Sequence, residues 1–381
     1  MMNDEKILVS RSSMPLYEEY VEAIKPLWDS HWLTNMGKYH VELEQKLKAY
    51  LDVPELSLMV NGHMALEMII QAFEFPEGSE IITTPFTFIS TTHAIVRNHL
   101  VPVFCDVKLS DGTIDESQIE NLITKKTVAI LPVHVYGNIC NIEAIDEIAK
   151  RHHLKVIYDA AHAFGTSYKG RTVGNFGDAT IFSFHATKVI NTIEGGAVAF
   201  CNAKLYQKLY NLKNFGIRGE ESVISVGANA KMNEFSAIMG LCNLNRIEKT
   251  MENRKGLWKY YIEKLSGIQG IERFSDSPEV QKNYAYFPIL VKNDYSLTRN
   301  DLYDLLQKYN IYTRKYFYPI IADQICYRDK YGKVELPVAR DLASRVLILP
   351  FYEGMDKKVI DKITKIIRDR NYKIEREGDT L

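Results

Sequence analysis

Seven short apolar runs lie between residues 57 and 200, and helical patterns separate most of them: "SLMV" (57–60), "EIITT" (80–84), "PVFCD" (102–106), "TVAILP" (127–132), "KVIYD" (155–159), "ATIFSF" (179–184) and "GAVAF" (196–200). Several lack polar alternation, as expected for strands buried on both faces by helices in a mostly parallel sheet. Helices between them include "HMALEMIIQAF" and "NIEAIDEIAKRHH", the second with Ile142, Ile145 and Ala149 on one face. The last two runs are joined by too few residues for a helical crossover, so one strand near the end is expected to run antiparallel.

The flanks read as helices and a second unit. Leu16, Tyr20, Ile24 and Leu27 mark one amphipathic helix, and Leu43, Leu47 and Tyr50 another. Leu244, Ile247, Met251, Trp258, Tyr261 and Leu265 keep three-four spacing, predicting a long helix that bridges to a smaller C-terminal α/β domain. That domain is expected to hold a strand at 285–291, a helix at 299–309 and a final helix carrying Ile360, Ile363 and Ile367. "TRND" (Thr298 to Asp301) reads as a capping box, and the terminal "EREGDTL" as frayed. The expected division is 13–250 for the large domain and 251–381 for the small one.

Bulk properties exclude several classes. The 381 residues carry 47 basic and 48 acidic side chains, a net charge of −1, with no basic stripe to suggest nucleic acid or a membrane surface. No apolar run approaches the roughly 20 residues that span a bilayer, and the start, "MMNDEKILVS", has no leader pattern. The five cysteines are scattered and never spaced C-x-x-C, which points to reduced thiols, a cytoplasmic setting and no structural zinc. No H-E-x-x-H occurs among the ten histidines.

Two residues focus the chemistry. Asp159 ends an apolar strand, at the edge where open α/β sheets bind ligands. Lys188 also follows a strand, in "SFHATKVINTIEGG" (183–196), although an ammonium is costly to desolvate. An acid and a lysine at the mouth of one sheet form a plain ion pair or meet the needs of pyridoxal 5′-phosphate: an amine for the aldehyde, a carboxylate for the pyridine nitrogen. "MVNGHMALEMII" (59–70) offers a phosphate cradle, with the amides of Gly62, His63 and Met64 opening a helix. Ser183 adds a hydroxyl, Phe88 a ring to lie over the cofactor, and His162 a neighbour for its ring or 3-hydroxyl. Each of these also has a bland structural role available.

Together these motifs resemble the fold type I pyridoxal-phosphate enzymes, and within them the DegT/StrS family of sugar-nucleotide aminotransferases. "HWLTNMGKYHVELEQKLKAYLDV" is similar to the family's opening segment, "DAAHAFG" to its aspartate motif and "SFHATKVINTIEGG" to its lysine motif. "GANAKMNEFSAIMG" and "VLILPFYEGM" resemble its later signatures. The resemblance implies an aspartate aminotransferase-like domain with a seven-stranded, mostly parallel sheet. It makes Lys188 the Schiff-base lysine and proton shuttle, Asp159 the partner of the pyridinium and Ser183 a phosphate ligand. Phe88 would stack on the cofactor, and His162 would sit beside its ring. Asn229 would reach the phosphate of a neighbouring subunit, in a homodimer with shared sites. His63 stands where the family has Thr or a small residue, which leaves only its backbone as a contact.

The implied reaction moves an amino group from L-glutamate to a keto sugar on a nucleotide diphosphate. The lysine motif looks most like enzymes converting dTDP-4-dehydro-6-deoxy-D-glucose to dTDP-4-amino-4,6-dideoxy-D-glucose for surface polysaccharide such as the lipopolysaccharide O-antigen. A 3-keto sugar or a UDP-linked substrate is the alternative. The expected sugar pocket comprises Trp32 and Thr34 in "WLTNMG", His185, Asn191, and Arg314, Tyr316 and Phe317 in "RKYFYP". Two further classes fit less well. A Rossmann dehydrogenase lacks its G-x-G-x-x-G after a strand, and a non-catalytic cofactor-binding regulator would tolerate loss of Lys188 or Asp159.

Overall fold

The computed structural model describes residues 6–369, so the "EREGDTL" terminus lies outside the described residues. A seven-stranded sheet forms the larger unit: β1 (Glu55–Met59), β2 (Glu80–Thr83), β3 (Val101–Phe104), β4 (Thr127–Leu131), β5 (Lys155–Asp159), β6 (Ala179–Ser183) and β7 (Gly196–Phe200). In space the order is β1-β7-β6-β5-β4-β2-β3. β7 is antiparallel to both neighbours, and the pairs from β6 to β3 are parallel. The short β6–β7 connection imposes that reversal, as expected from the residue count.

Helices cover both faces, which accounts for the continuous apolar character of the strands. Ile81, Ala129, Leu131, Ile157 and Ile181 pack with α3 (Gly62–Ala72), which follows α1 (Tyr17–Ile24) and α2 (Lys38–Tyr50) in the chain. Alternate residues Ile82, Ile130, Val156 and Tyr158 face the other way, against Ile142, Ile145 and Ile148. Phe182, Ala197 and Ala199 meet Leu43 and Leu47 of α2.

The bridging helix is two helices rather than one. Glu234–Leu244 is followed by Ile247–Leu265, with the break at Asn245 and Arg246. The first of the pair is buried along nearly its whole length, whereas the second shows a single buried stripe, Ile247, Thr250, Arg254, Leu257, Tyr261 and Leu265. A change in which face must be buried is what a sequence period across the break cannot express. The smaller unit has a three-stranded antiparallel sheet, with Phe287–Val291 between Ile271–Glu272 and Val346–Leu349. Its Phe287, Ile289, Leu347 and Leu349 pack on Leu302, Leu306, Ile360 and Ile363. Thr298 and Asp301 form the expected capping box for helix Arg299–Lys308. Strand Val346–Leu349 has no distinct signature in the sequence, because only its tertiary pairing distinguishes a short apolar run from buried loop.

The two units share a core. Phe86, Phe104, Val107 and Val135 of the larger pack against Leu290, Phe317 and Ile348 of the smaller. Asp106, from the loop after β3, accepts hydrogen bonds from the Val338 and Ala339 amides at the start of helix Pro337–Arg345 (2.9 and 2.8 Å). Among the described residues no helix is long and apolar enough to cross a membrane, and no cluster of side chains is arranged to hold a metal ion.

Candidate active site

Asp159 ends β5 and Ser183 ends β6, adjacent parallel strands, so both side chains reach the C-terminal edge of the sheet. Lys188 sits on the loop that leaves β6. Phe184, Val189 and Ile190 of that loop are buried, and backbone bonds from Phe184 to Gly195 (2.8 Å) and from Thr192 to Phe184 (2.9 Å) close it. A packed loop therefore presents the lysine, rather than a solvated hairpin. The result is a cavity of about 300 Å³ walled by Asp159, His162, Ser183 and Lys188.

One wall is the start of α3. Asn61 caps it by accepting the Met64 amide at 2.8 Å. That spends the Met64 N–H inside the helix and leaves Gly62 and His63 as the donors of the first turn that the helix cannot satisfy. A Cβ on Gly62 would lie 2.8 Å from Ser183 Cβ, and one on Gly196 would lie 2.6 Å from the Asn61 carbonyl carbon. Glycine at both positions lets β6, β7 and the helix start converge. The His63 ring turns aside: Nδ1 meets Ser90 Oγ at 2.9 Å and Nε2 lies 3.4 Å from Glu67.

Electrostatics divide the floor of the cavity. Asp159 is buried, with Oδ2 accepting from Thr91 Oγ1 (2.9 Å) and Oδ1 from the Ala161 amide (3.0 Å). Burial pushes its carboxyl above the usual range, and those two bonds and the Lys188 charge pull the other way. His162 is also buried; its Nδ1 accepts from the Tyr136 amide at 3.1 Å, which puts the ring proton on Nε2. Burial, then the Lys188 charge, holds this imidazole well below its ordinary value, so it stays neutral. Phe317 lies parallel to it at 6.0 Å, and Tyr316 stacks on Phe317 at 4.9 Å.

The mouth is built by Phe88, His185, Arg314 and Tyr316. Phe88 is 52% exposed, as a ring waiting over a cavity must be. His185 Nδ1 contacts Thr187 Oγ1 at 2.9 Å, and its Nε2 is 3.6 Å from Glu194. Arg314 bonds the Tyr316 hydroxyl and, with Lys188, supplies the fixed cations of the lining.

Other expected residues lie off this wall. Asn191 is buried under the loop, where it donates to the Ser13 carbonyl (2.8 Å) and accepts from the Ile193 amide (3.2 Å). Trp32 and Thr34 are exposed and do not line the cavity. Asn229 is exposed beside Asn214, also away from it. Conversely, Asn61, Thr87, Ser90, Glu194 and Tyr286 line the cavity without having been singled out for it. Asn61 carried a legible signal, since Asn before Gly at a helix start is a capping pattern. Tyr286 carried none, being one aromatic in an apolar strand approach.

Comparison with known proteins agrees with this geometry. Residues 16–368 match the model of the DegT/DnrJ/EryC1/StrS aminotransferase family. The dTDP-4-amino-4,6-dideoxy-D-glucose transaminase of Escherichia coli is 41% identical over 371 residues, covering 96% of this chain and 99% of that relative. The enzyme of the same name from Shigella dysenteriae is 40% identical over 367 residues, 96% and 99% of the two chains. Among solved structures, DesI in the presence of its TDP-sugar product superposes with a TM-score of 0.90 at 30% identity, covering 95% of this chain and 92% of that one. Helicobacter pylori PseC, described as an aminotransferase of pseudaminic acid biosynthesis, gives 0.90 at 27% identity over 96% and 99%. This chain belongs to the DegT/DnrJ/EryC1/StrS family of aminotransferases.

Proposed function

We propose that the protein transfers the amino group of L-glutamate to C4 of dTDP-4-dehydro-6-deoxy-D-glucose, forming dTDP-4-amino-4,6-dideoxy-D-glucose, with pyridoxal 5′-phosphate as cofactor. The observation that carries the cofactor reading is the pairing of Lys188 with a buried Asp159 in one cavity whose third wall is a helix start stripped to Gly62. These residues fit the group. The amides of Gly62 and His63 with Ser183 would take its phosphate, Asp159 its ring nitrogen, Phe88 and His162 its two sides, and Lys188 its aldehyde. When bound, the cofactor supplies an electron-accepting ring that stabilises negative charge on the carbon attached to the transferred nitrogen.

The protein's own groups do the rest. Asp159, charged against a cation at the ring nitrogen, keeps a proton there. Lys188 Nζ takes a proton from the α-carbon of glutamate and, in the second half-reaction, delivers one to C4 of the sugar. His162 stays neutral and presents Nε2–H toward the cavity. Arg314 at the mouth meets an anionic group of the substrate. Asn229, exposed and outside its own cavity, would complete the phosphate site of a partner subunit in a homodimer.

The reading of the sugar rests on the 41% and 40% identities to transaminases of that one name, against 32% and 27% for relatives named GDP-perosamine synthase. Purified protein should be yellow, and L-glutamate alone should bleach the visible band and release one equivalent of 2-oxoglutarate per protomer. Lys188→Ala should lack the band; an unchanged spectrum would overturn the cofactor assignment. Incubation of glutamate with dTDP-, UDP- and GDP-linked keto sugars, with NMR of the aminated carbon, decides the sugar. Amination at C3, or of a UDP or GDP sugar alone, would replace the proposed substrate.

A further inference from the structure

Tyr286 stands at the meeting of the two units, one residue before strand Phe287–Val291 of the smaller. Its Oη lies 3.4 Å from Lys188 Nζ, which donates to it, and Nζ lies 5.9 Å from the centre of its ring. The ring is held by His162, 4.7 Å between centres, and by Tyr136 in an edge contact at 6.0 Å.

The backbone that carries Tyr286 is clamped from two sides by buried polar side chains. Asn283 is 1% exposed and donates to the carbonyls of His162 (2.8 Å) and Phe164 (2.9 Å), while its Oδ1 accepts the Ala285 amide at 3.1 Å. Arg254 is 2% exposed and donates to the carbonyls of Tyr284 (3.2 Å) and Ala285 (3.4 Å). Burying a guanidinium and a carboxamide is costly unless their polar atoms find hydrogen-bond partners, and the bonds these two make go to main-chain groups. Asn283 ties this backbone to the His162–Phe164 segment and Arg254 ties residues 284 and 285 to helix Ile247–Leu265, and together they fix where the Tyr286 hydroxyl sits.

We propose that Tyr286 is a positioning residue for Lys188: its hydroxyl holds Nζ at the reacting carbon whenever the substrate nitrogen has displaced the lysine. This rests on the aminotransferase reading above. A lysine amine on its four-carbon stem has wide rotamer freedom, and a proton shuttle that wanders loses the advantage of proximity. The hydroxyl comes from the smaller unit and the lysine from the larger, so the contact also ties the poise of the shuttle to the packing between the units.

Tyr286→Phe tests this, since it keeps the ring and removes only Oη. The single-turnover rate with L-glutamate should fall about 2- to 10-fold, the range for losing one hydrogen bond, with KM for glutamate within about twofold of wild type. The primary isotope effect with α-deuterated glutamate should rise, because proton transfer becomes more limiting; a merely structural role would not move it. In cofactor-free protein, competitive acetylation with acetic anhydride should change at Lys188 relative to exposed Lys204, read by mass spectrometry. A raised KM with an unchanged isotope effect, or an acetylation ratio equal to wild type, would overturn the proposal and leave the aminotransferase assignment standing. Wild-type protein that releases no 2-oxoglutarate would instead remove the reading beneath it. Should Tyr286→Phe fail to retain cofactor, the acetylation ratio still decides.

Discussion

Asp159 and Lys188 show how much one residue's setting matters. Both are ordinary polar residues by type, and they come together because the end of β5 carries Asp159, and the packed loop after β6 carries Lys188, to one cavity. Asp159 has two bonds that favour its charged form working against a burial that disfavours it. Asp159→Asn keeps the shape and the Thr91 bond and removes the charge. Turnover should drop by about 10² or more, on the scale of a misplaced proton in general acid–base catalysis, while the melting temperature stays the same or rises. A variant with more than a tenth of wild-type activity would mean that the carboxylate is not paired with a ring nitrogen. The sequence made both residues legible, Asp159 because it ends an apolar run and Lys188 because it follows one in a short polar loop between two apolar strands. It could not reveal Thr91, the hydroxyl that orients the carboxylate, because that contact spans 68 residues and depends on how α4 (Ser90–Arg97) packs.

At the level of elements, the start of α3 and the return strand β7 are one device. Gly196 allows β7 to pass the Asn61–Gly62 backbone at a distance that no side chain tolerates. Gly196→Ala would place Cβ 2.6 Å from backbone atoms, so strand or helix must move. Overpacking of this kind costs about 1–3 kcal/mol, and chemical denaturation should show that loss together with a weaker hold on cofactor at dialysis equilibrium. Unchanged affinity with lowered stability would separate the strand contact from the proposed phosphate site. All seven strands of the large sheet were legible to within two residues at each end, because burial on both faces writes an uninterrupted apolar run. The division of the Leu244–Leu265 helix was not, since heptad-like spacing continued across Asn245 and Arg246 while the buried face changed.

For the whole molecule, three buried histidines set the acid limit. Burial takes His40 and His134 down to about 3, and holds His162 well below its usual value. The unfolded chain binds a proton at each near pH 6.5, and the folded chain does not until far lower. Stability is therefore full above that pH and falls as pH drops, by up to about 1.4 kcal/mol per pH unit for each histidine. Asp159, raised by burial, works in the opposite sense and softens the loss. Urea midpoints should decline steeply between pH 6.5 and 5; a flat profile would mean that these rings are protonated in the fold. The proposed homodimer with shared sites has its own test at this scale. Lys188→Ala and Asn229→Asp chains, each inactive alone, should regain up to about a quarter of wild-type activity when co-refolded, because mixed dimers keep one intact site. No recovery would leave Asn229 without a role across subunits.

By itself, the sequence determined the seven strands, the order of strands and helices along the chain, and the candidate aspartate and lysine at or just past strand ends. These are local facts: apolar runs, turn residues and strand ends are written within a few positions of where they act. Only the tertiary structure decided that Asn191 supports the loop from below, that the Met64 amide is spent on a cap, and that Tyr286 meets Lys188 across 98 residues. Such contacts come from two units sharing a core, and packing between distant segments leaves no period or motif in either one.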